Sequence, residues 1–144
     1  MNENFIISVT GTQIVDGEKE TIKLKTAGEY IEKNGSRYIS YKEYDNDNPN
    51  ICFENTVKVE EDRMVTVIRG GPARSRLVLE KGRRHQCHYS TMVGDLMVGV
   101  FTDSVENNLN DHGGTLYVSY SLDFNAGLVS KNEIYIKVTE KEGN

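Results

Sequence analysis

Thr115-Leu116-Tyr117-Val118-Ser119-Tyr120-Ser121-Leu122-Asp123-Phe124 is the stretch that decides the fold. Leu116, Val118, Tyr120, Leu122 and Phe124 alternate with polar residues and Tyr117, and a period of two is that of a β-strand with one buried face. Upstream, residues 83–102 read as a hairpin. Its first arm runs from Arg83 to Thr91, its turn is Met92-Val93-Gly94-Asp95, and its second arm, Leu96-Met97-Val98-Gly99-Val100-Phe101-Thr102, is almost purely apolar. Between the two, residues 103–112 are polar and read as a frayed strand end and loop closed by Gly113-Gly114. Downstream, Asn125-Ala126-Gly127 turns the chain into a last strand carrying Ile134, Ile136 and Val138.

The N-terminal half repeats the pattern. Phe5, Ile7 and Val9 alternate with Ser8 and Thr10, and Ile22, Leu24 and Thr26 share a face in the next run. Asp16-Gly17 and Asn34-Gly35 supply turns; Asn-Gly is a strong hairpin signal because a type I′ turn needs positive φ at both central positions. Strands follow over 36–44, 51–60, 63–69 and 74–81, with Gly70-Gly71-Pro72 and Gly82 as breaks. No ten-residue stripe has helical spacing. About ten strands with short links imply an all-β fold, a single antiparallel, mostly up-and-down barrel of about 8–10 strands. At 144 residues, one domain over 1–144 is expected.

Hydrophobic residues at 37% and charged ones at 27% suit a folded chain. No basic-then-apolar leader opens the sequence and no run approaches ~18 apolar residues, so a cytoplasmic location with no membrane partner is expected. Cys52 and Cys87 lie in separate segments and are expected as reduced thiols.

Charge is unevenly placed. Residues 1–62 hold 7 basic and 13 acidic groups, 63–94 hold 7 and 1, and 95–144 hold 3 and 8. Arg63, Arg69, Arg74, Arg76, Lys81, Arg83 and Arg84 are answered locally only by Glu80. Either acidic strands pair with this basic middle across the sheet, or it forms an anion-binding face. On the first hairpin arm Arg83, His85, Cys87, Tyr89 and Thr91 share a face, taken as inward because Cys87 and Tyr89 are its most buriable members.

Chemistry is not signalled. There is no Gly-x-Ser-x-Gly elbow, Asp111-His112 diverge if extended, and no acid–base pair is set by spacing, so catalysis is not favoured. Asp45 to Asn50 begins like a calcium loop, but Asn50 stands where Gly is needed and Thr56 where Glu is. A His85–Cys87 zinc site lacks a third ligand and faces two arginines. No metal and no cofactor are expected.

The order Thr56-Val57-Lys58-Val59, then Val67-Ile68-Arg69-Gly70-Gly71, a strand ending at Gly82, Tyr89-Ser90-Thr91 with Gly94, and Gly114 ahead of Tyr120-Ser121-Leu122 resembles the YwiB-like family. That resemblance, which covers most of the chain, implies a bacterial calycin-type, lipocalin-like barrel of unestablished activity. Met92 stands where the family pattern has Pro, and the Trp of the lipocalin signature is missing.

The function expected is non-catalytic binding of a small anionic or amphipathic ligand in the lumen or at its mouth, by Arg69, Arg83, His85, Tyr89, Thr91 and Tyr120. The alternative is a protein or single-stranded nucleic-acid interaction module using the basic 63–94 surface. Nucleic acid is disfavoured by the acidic pI near 5.2. A homo-oligomer, basic strands against the acidic face of a second copy, stays open.

Overall fold

A computed structural model describes residues 4–45, 47–72, 74–91, 94–124 and 128–142, without the side chains of Thr91 and Leu128. It contains ten strands and, among the described residues, no helix: β1 (Phe5–Val15), β2 (Glu18–Lys33), β3 (Ser36–Tyr44), β4 (Cys52–Glu60), β5 (Met64–Gly70), β6 (Ser75–Glu80), β7 (Arg84–Thr91), β8 (Gly94–Asn110), β9 (Gly113–Phe124) and β10 (Leu128–Glu140). Each pairs antiparallel with its sequence neighbours, and β1 pairs with β10, closing an up-and-down barrel. Closure removes the sheet edges that an open meander would expose.

The alternation seen in the sequence sets the inside. Leu116, Val118, Tyr120 and Leu122 of β9 are buried, with Ile7, Ile39, Val57, Val65, Leu79, Val98, Val100, Ile136 and Val138 from the surrounding strands. Val59↔Val65 and Val57↔Val67 are the β4–β5 register, so Met64 and Ile68 face out. Asn34 (φ 54°) and Gly35 (φ 85°) make the expected tight turn.

Of residues 103–112, expected as a frayed end and loop, only Asp111 and His112 form a turn. β8 runs on to Asn110, with a register shift between Thr102 and Ser104. The extra residue, Asp103, is a bulge: Val98, Val100 and Thr102 are buried before it, and Val105 is buried after it. One inserted residue reverses the parity, so the apolar period looks lost when it is only displaced.

The two ends of the barrel differ. At the Asn34-Gly35 end, the Tyr30 hydroxyl donates to the Asn110 carbonyl at 2.6 Å, Phe5 meets the Tyr30 ring edge-on at 5.3 Å, and Arg37 donates to the Tyr30 hydroxyl and to Asp111. This end is plugged. At the other, β2 and β3 part company: β3 pairs with β2 only from Gly28↔Tyr41 to Lys33↔Ser36, and residues 18–27 of β2 pair with β1 alone. β6 and β7 also share only Ser75↔Tyr89 and Arg76↔His88, after which the Val78 amide donates to the Cys87 thiol at 3.4 Å. Cys52 and Cys87 are free.

Candidate functional site

At the open end the register lines up a polar row inside the wall. Tyr41 lies opposite Asn55, Asn55 opposite Arg69, Arg69 opposite Ser75, and Ser75 opposite Tyr89. Directly opposed residues point to the same face, so five consecutive strands, β3 to β7, each contribute one polar side chain to a single band. Below this band the lumen is filled by aliphatic side chains with almost no accessible surface, such as Ile39, Val57, Leu79 and Leu116.

Arg69 is held rather than free. Its guanidinium stacks on the Phe53 ring at 4.0 Å, and Nη2 donates to Glu43 Oε1 at 3.4 Å. Its Nε, and the Nδ2 of Asn55 on the adjacent strand, are buried with no hydrogen-bond partner. Asn55 is 6% exposed. A buried donor left unmade costs about 1–3 kcal/mol, and here two stand side by side. Burial pushes the Tyr41 phenol up to about 12, with the Glu43 carboxylate adding to the shift and Arg69 opposing it. Burial raises Tyr120 strongly as well, with Tyr89 beside it contributing. Both phenols therefore stay neutral and able to donate at physiological pH.

On the β1–β2–β10 side is a hollow of about 210 Å³ whose lining includes Gln13, Ile22, Tyr120 and Asn132 together with Glu20 and Glu133. Asn132 is buried and its amide nitrogen donates to Ser130 Oγ at 3.0 Å. The open end thus combines amide, phenol and guanidinium donors with an apolar floor, and with the carboxylates of Glu43 at the band and of Glu20 and Glu133 at the hollow.

The residues expected from sequence divide between the two ends. Arg69, Tyr89 and Tyr120 come together at the open end. Thr91 closes β7 there through its backbone pairing with Gly94, while its side chain lies outside the described residues, as does Met92. Arg83 and His85 do not join them. They sit at the plugged end, where Glu80 gathers His85 Nε2 at 2.9 Å, Arg63 at 3.5 Å and Arg83 at 3.8 Å. The face assignment holds for Cys87 and Tyr89, but a strand running the length of the barrel puts its first and last inward residues at opposite ends. Tyr41, Glu43 and Asn55 were missed. Asn55 carried a signal, being a polar residue in step with Phe53, Val57 and Val59.

The basic middle is largely answered across the sheet: Arg63 by Glu60 and Glu80, Arg69 by Glu43, Arg83 by Glu80, and Arg84 by Asp123 at 2.7 Å. Arg74, Arg76 and Lys81 make no ion pair among the described residues; Arg74 and Arg76 border an outer groove of about 370 Å³ with Glu54, Ile68 and His88. In the loop that resembles a calcium site, Asp45 Oδ1 accepts from the Asp47 amide and Asn48 Oδ1 from the Asn50 amide, so these side chains fasten turns.

Known proteins share this architecture. The chain is 28% identical over 107 residues to the uncharacterized β-barrel protein YwiB of Bacillus subtilis (strain 168), covering 74% of this chain and 72% of that protein. The crystal structure of the ywiB protein from Bacillus subtilis matches with a TM-score of 0.72 at 24% identity, over 92% of this chain and 89% of the other, a likeness of fold. With residues 7–136 matching the family described as Domain of unknown function (DUF1934), the chain belongs to that family of YwiB-like β-barrels.

Proposed function

We propose that the protein is a non-catalytic binding barrel that takes a small anionic molecule at its open end, the use that calycin-type barrels make of a closed cylinder. One observation carries the reading: the adjacent buried donors Asn55 Nδ2 and Arg69 Nε have no acceptor among the described residues. Structures retain unsatisfied buried donors where they serve something other than stability. A carboxylate or phosphate oxygen satisfies both, and the neutral phenols of Tyr41 and Tyr120 add donors without adding charge. Because Glu43 already offsets Arg69, a singly charged head group fits better than a multiply charged one. The filled lower lumen leaves no room for a long tail, which favours a small anion over an extended amphipath.

The rival, an interaction surface on residues 63–94, retains only Arg74, Arg76 and Lys81 once the ion pairs are drawn, and is the weaker reading. The deciding experiment is a thermal-shift and calorimetric panel of small carboxylates and phosphate monoesters against the intact protein, Asn55→Leu and Arg69→Met. A ligand at 100 times its Kd stabilises by about 2.7 kcal/mol. The expected result is a shift in the intact protein that both variants lose. The reading fails if no compound shifts the intact protein, or if the variants bind as well as it does.

A further inference from the structure

The parting of β2 from β3 leaves residues 18–27 of β2 with one backbone edge unpaired, a feature a closed barrel otherwise abolishes. Along it, Lys19, Lys23 and Lys25 are exposed on the outer face, and none makes an ion pair among the described residues. Their cross-strand partners on β1 are Ile14, Thr10 and Ser8, so no carboxylate stands opposite. Next along the same wall, β10 adds the exposed, unpaired Lys131 and Lys137; its Glu133 accepts the Tyr117 hydroxyl. Cations without an ion pair among the described residues therefore gather on the outer face of this wall as well as on the 63–94 segment that the sequence singled out. On the inner face of the same edge, Glu18 and Glu20 are exposed and Ile22 is 67% exposed, so the cationic character belongs to the outer face alone.

We infer that this edge receives an extended acidic peptide segment, added as an antiparallel strand beside β2. Three features select that partner. Alternating free N–H and C=O groups are matched by another peptide backbone and not by a phosphodiester. The lysines at every second or fourth position call for carboxylates opposite them, with apolar residues opposite Ile22 and Leu24 on the other face. A second copy of β2 is a poor occupant: pairing centred on Ile22 sets Lys19 against Lys25, and pairing centred on Lys23 sets that lysine against itself, and like charges directly opposed destabilise. Lysines on the edge thus repel copies of this chain and attract an acidic strand. Ile22 also borders the hollow of the open end, but the peptide is held by the β2 backbone edge and the outer lysines, neither of which belongs to the Asn55–Arg69 pair, so each proposal can fail without the other.

The test uses the intact protein with a labelled ten-residue peptide alternating Glu and Val, the same peptide with Lys for Glu, and an oligothymidylate of about the same contour. Binding is followed by fluorescence anisotropy and by amide exchange along 18–27. Expected are binding of the acidic peptide alone, protection of alternate amides in that segment, and a loss of at least tenfold in the triple variant Lys19→Glu, Lys23→Glu, Lys25→Glu, which gains the Lys peptide. An Arg-substituted triple variant retains binding, which separates charge from fold. Absence of acidic-peptide binding, binding indifferent to the charge reversal, or oligothymidylate binding through these lysines without amide protection overturns the proposal.

Discussion

Asn55 is a polar amide on a face it shares with Phe53, Val57 and Val59, and its Nδ2 has no partner among the described residues. Replacing it by leucine removes the orphan donor and adds apolar contact at nearly equal volume. Asn55→Leu should therefore stabilise the unliganded protein by about 1 kcal/mol, or ~4 °C in Tm, while abolishing ligand binding. A melt in which the variant is less stable than the parent would mean that the amide serves the fold. Glu80 makes the opposite kind of residue-level case. The hydrogen bond from His85, then the charges of Arg83, His85 and Arg63, hold its carboxyl below the ordinary value of 4.5. A depressed folded pKa adds stability above the unfolded pKa, and that contribution is lost as pH falls through the lower folded value. Glu80→Gln should be less stable than the parent at neutral pH, with the two denaturation curves converging below pH 4.5; parallel acid limbs would contradict this. These residues also mark the limit of sequence reading at this scale. Arg69 and His85 both carry inward parity, but which end of the cylinder each occupies depends on strand register.

Among the elements, those with unbroken alternation were legible. β9 lies where the pattern put it, because every second residue from Leu116 to Leu122 is buried in the core, and β3 does because the Asn34-Gly35 turn and the polar loop after Tyr44 bound it, although only Ile39 of that strand is fully buried. β8 was read only to Thr102 because a bulge shifts its period by one, and nothing local in Asp103-Ser104 announces it. The β2–β3 split was also hidden, since it turns on a contact between strands. A Cβ at Gly28 would lie 2.5 Å from the Ser40 carbonyl oxygen and 2.8 Å from Ile7 Cγ1. Glycine there lets β2 come close to β3 and β1 together, just where β2 leaves β3. Gly11 is the control, with nothing within 4 Å of its Cβ position. Gly28→Ala should cost about 1–3 kcal/mol by overpacking, whereas Gly11→Ala should be neutral or gain about 0.4–1 kcal/mol through the unfolded chain. Urea denaturation of the pair separates them, and equal midpoints would show that the close approach at Gly28 is dispensable.

For the whole molecule, what matters is that closure joins the two ends of the chain. Phe5 lies opposite Glu140 in the β1–β10 ladder, and the Lys141 amide donates to the Asn4 carbonyl at 3.0 Å. Every other seam joins strands adjacent in sequence, so the polar band at the open end is assembled from five successive strands while the barrel as a whole is completed by its first and last. That is why the cylinder could be anticipated from short links and alternation, whereas the Tyr41–Asn55–Arg69–Ser75–Tyr89 row could not: membership depends on the register of four seams in succession. It also means that the choice of which link to leave open is immaterial to the topology. A circular permutant joining the termini through the five residues outside 4–142, and opened at Asn34-Gly35, should keep the barrel, because the new link spans neighbouring strands at one end and the new break falls in an exposed tight turn. The cost is the loss of local closure of the β2–β3 hairpin, which already holds only Gly28↔Tyr41 through Lys33↔Ser36. Circular dichroism, a cooperative melt and protected amides in β1 and β10 are the expected signature. A permutant that binds hydrophobic dye and melts without cooperativity would show that the β1–β10 seam does not support the cylinder.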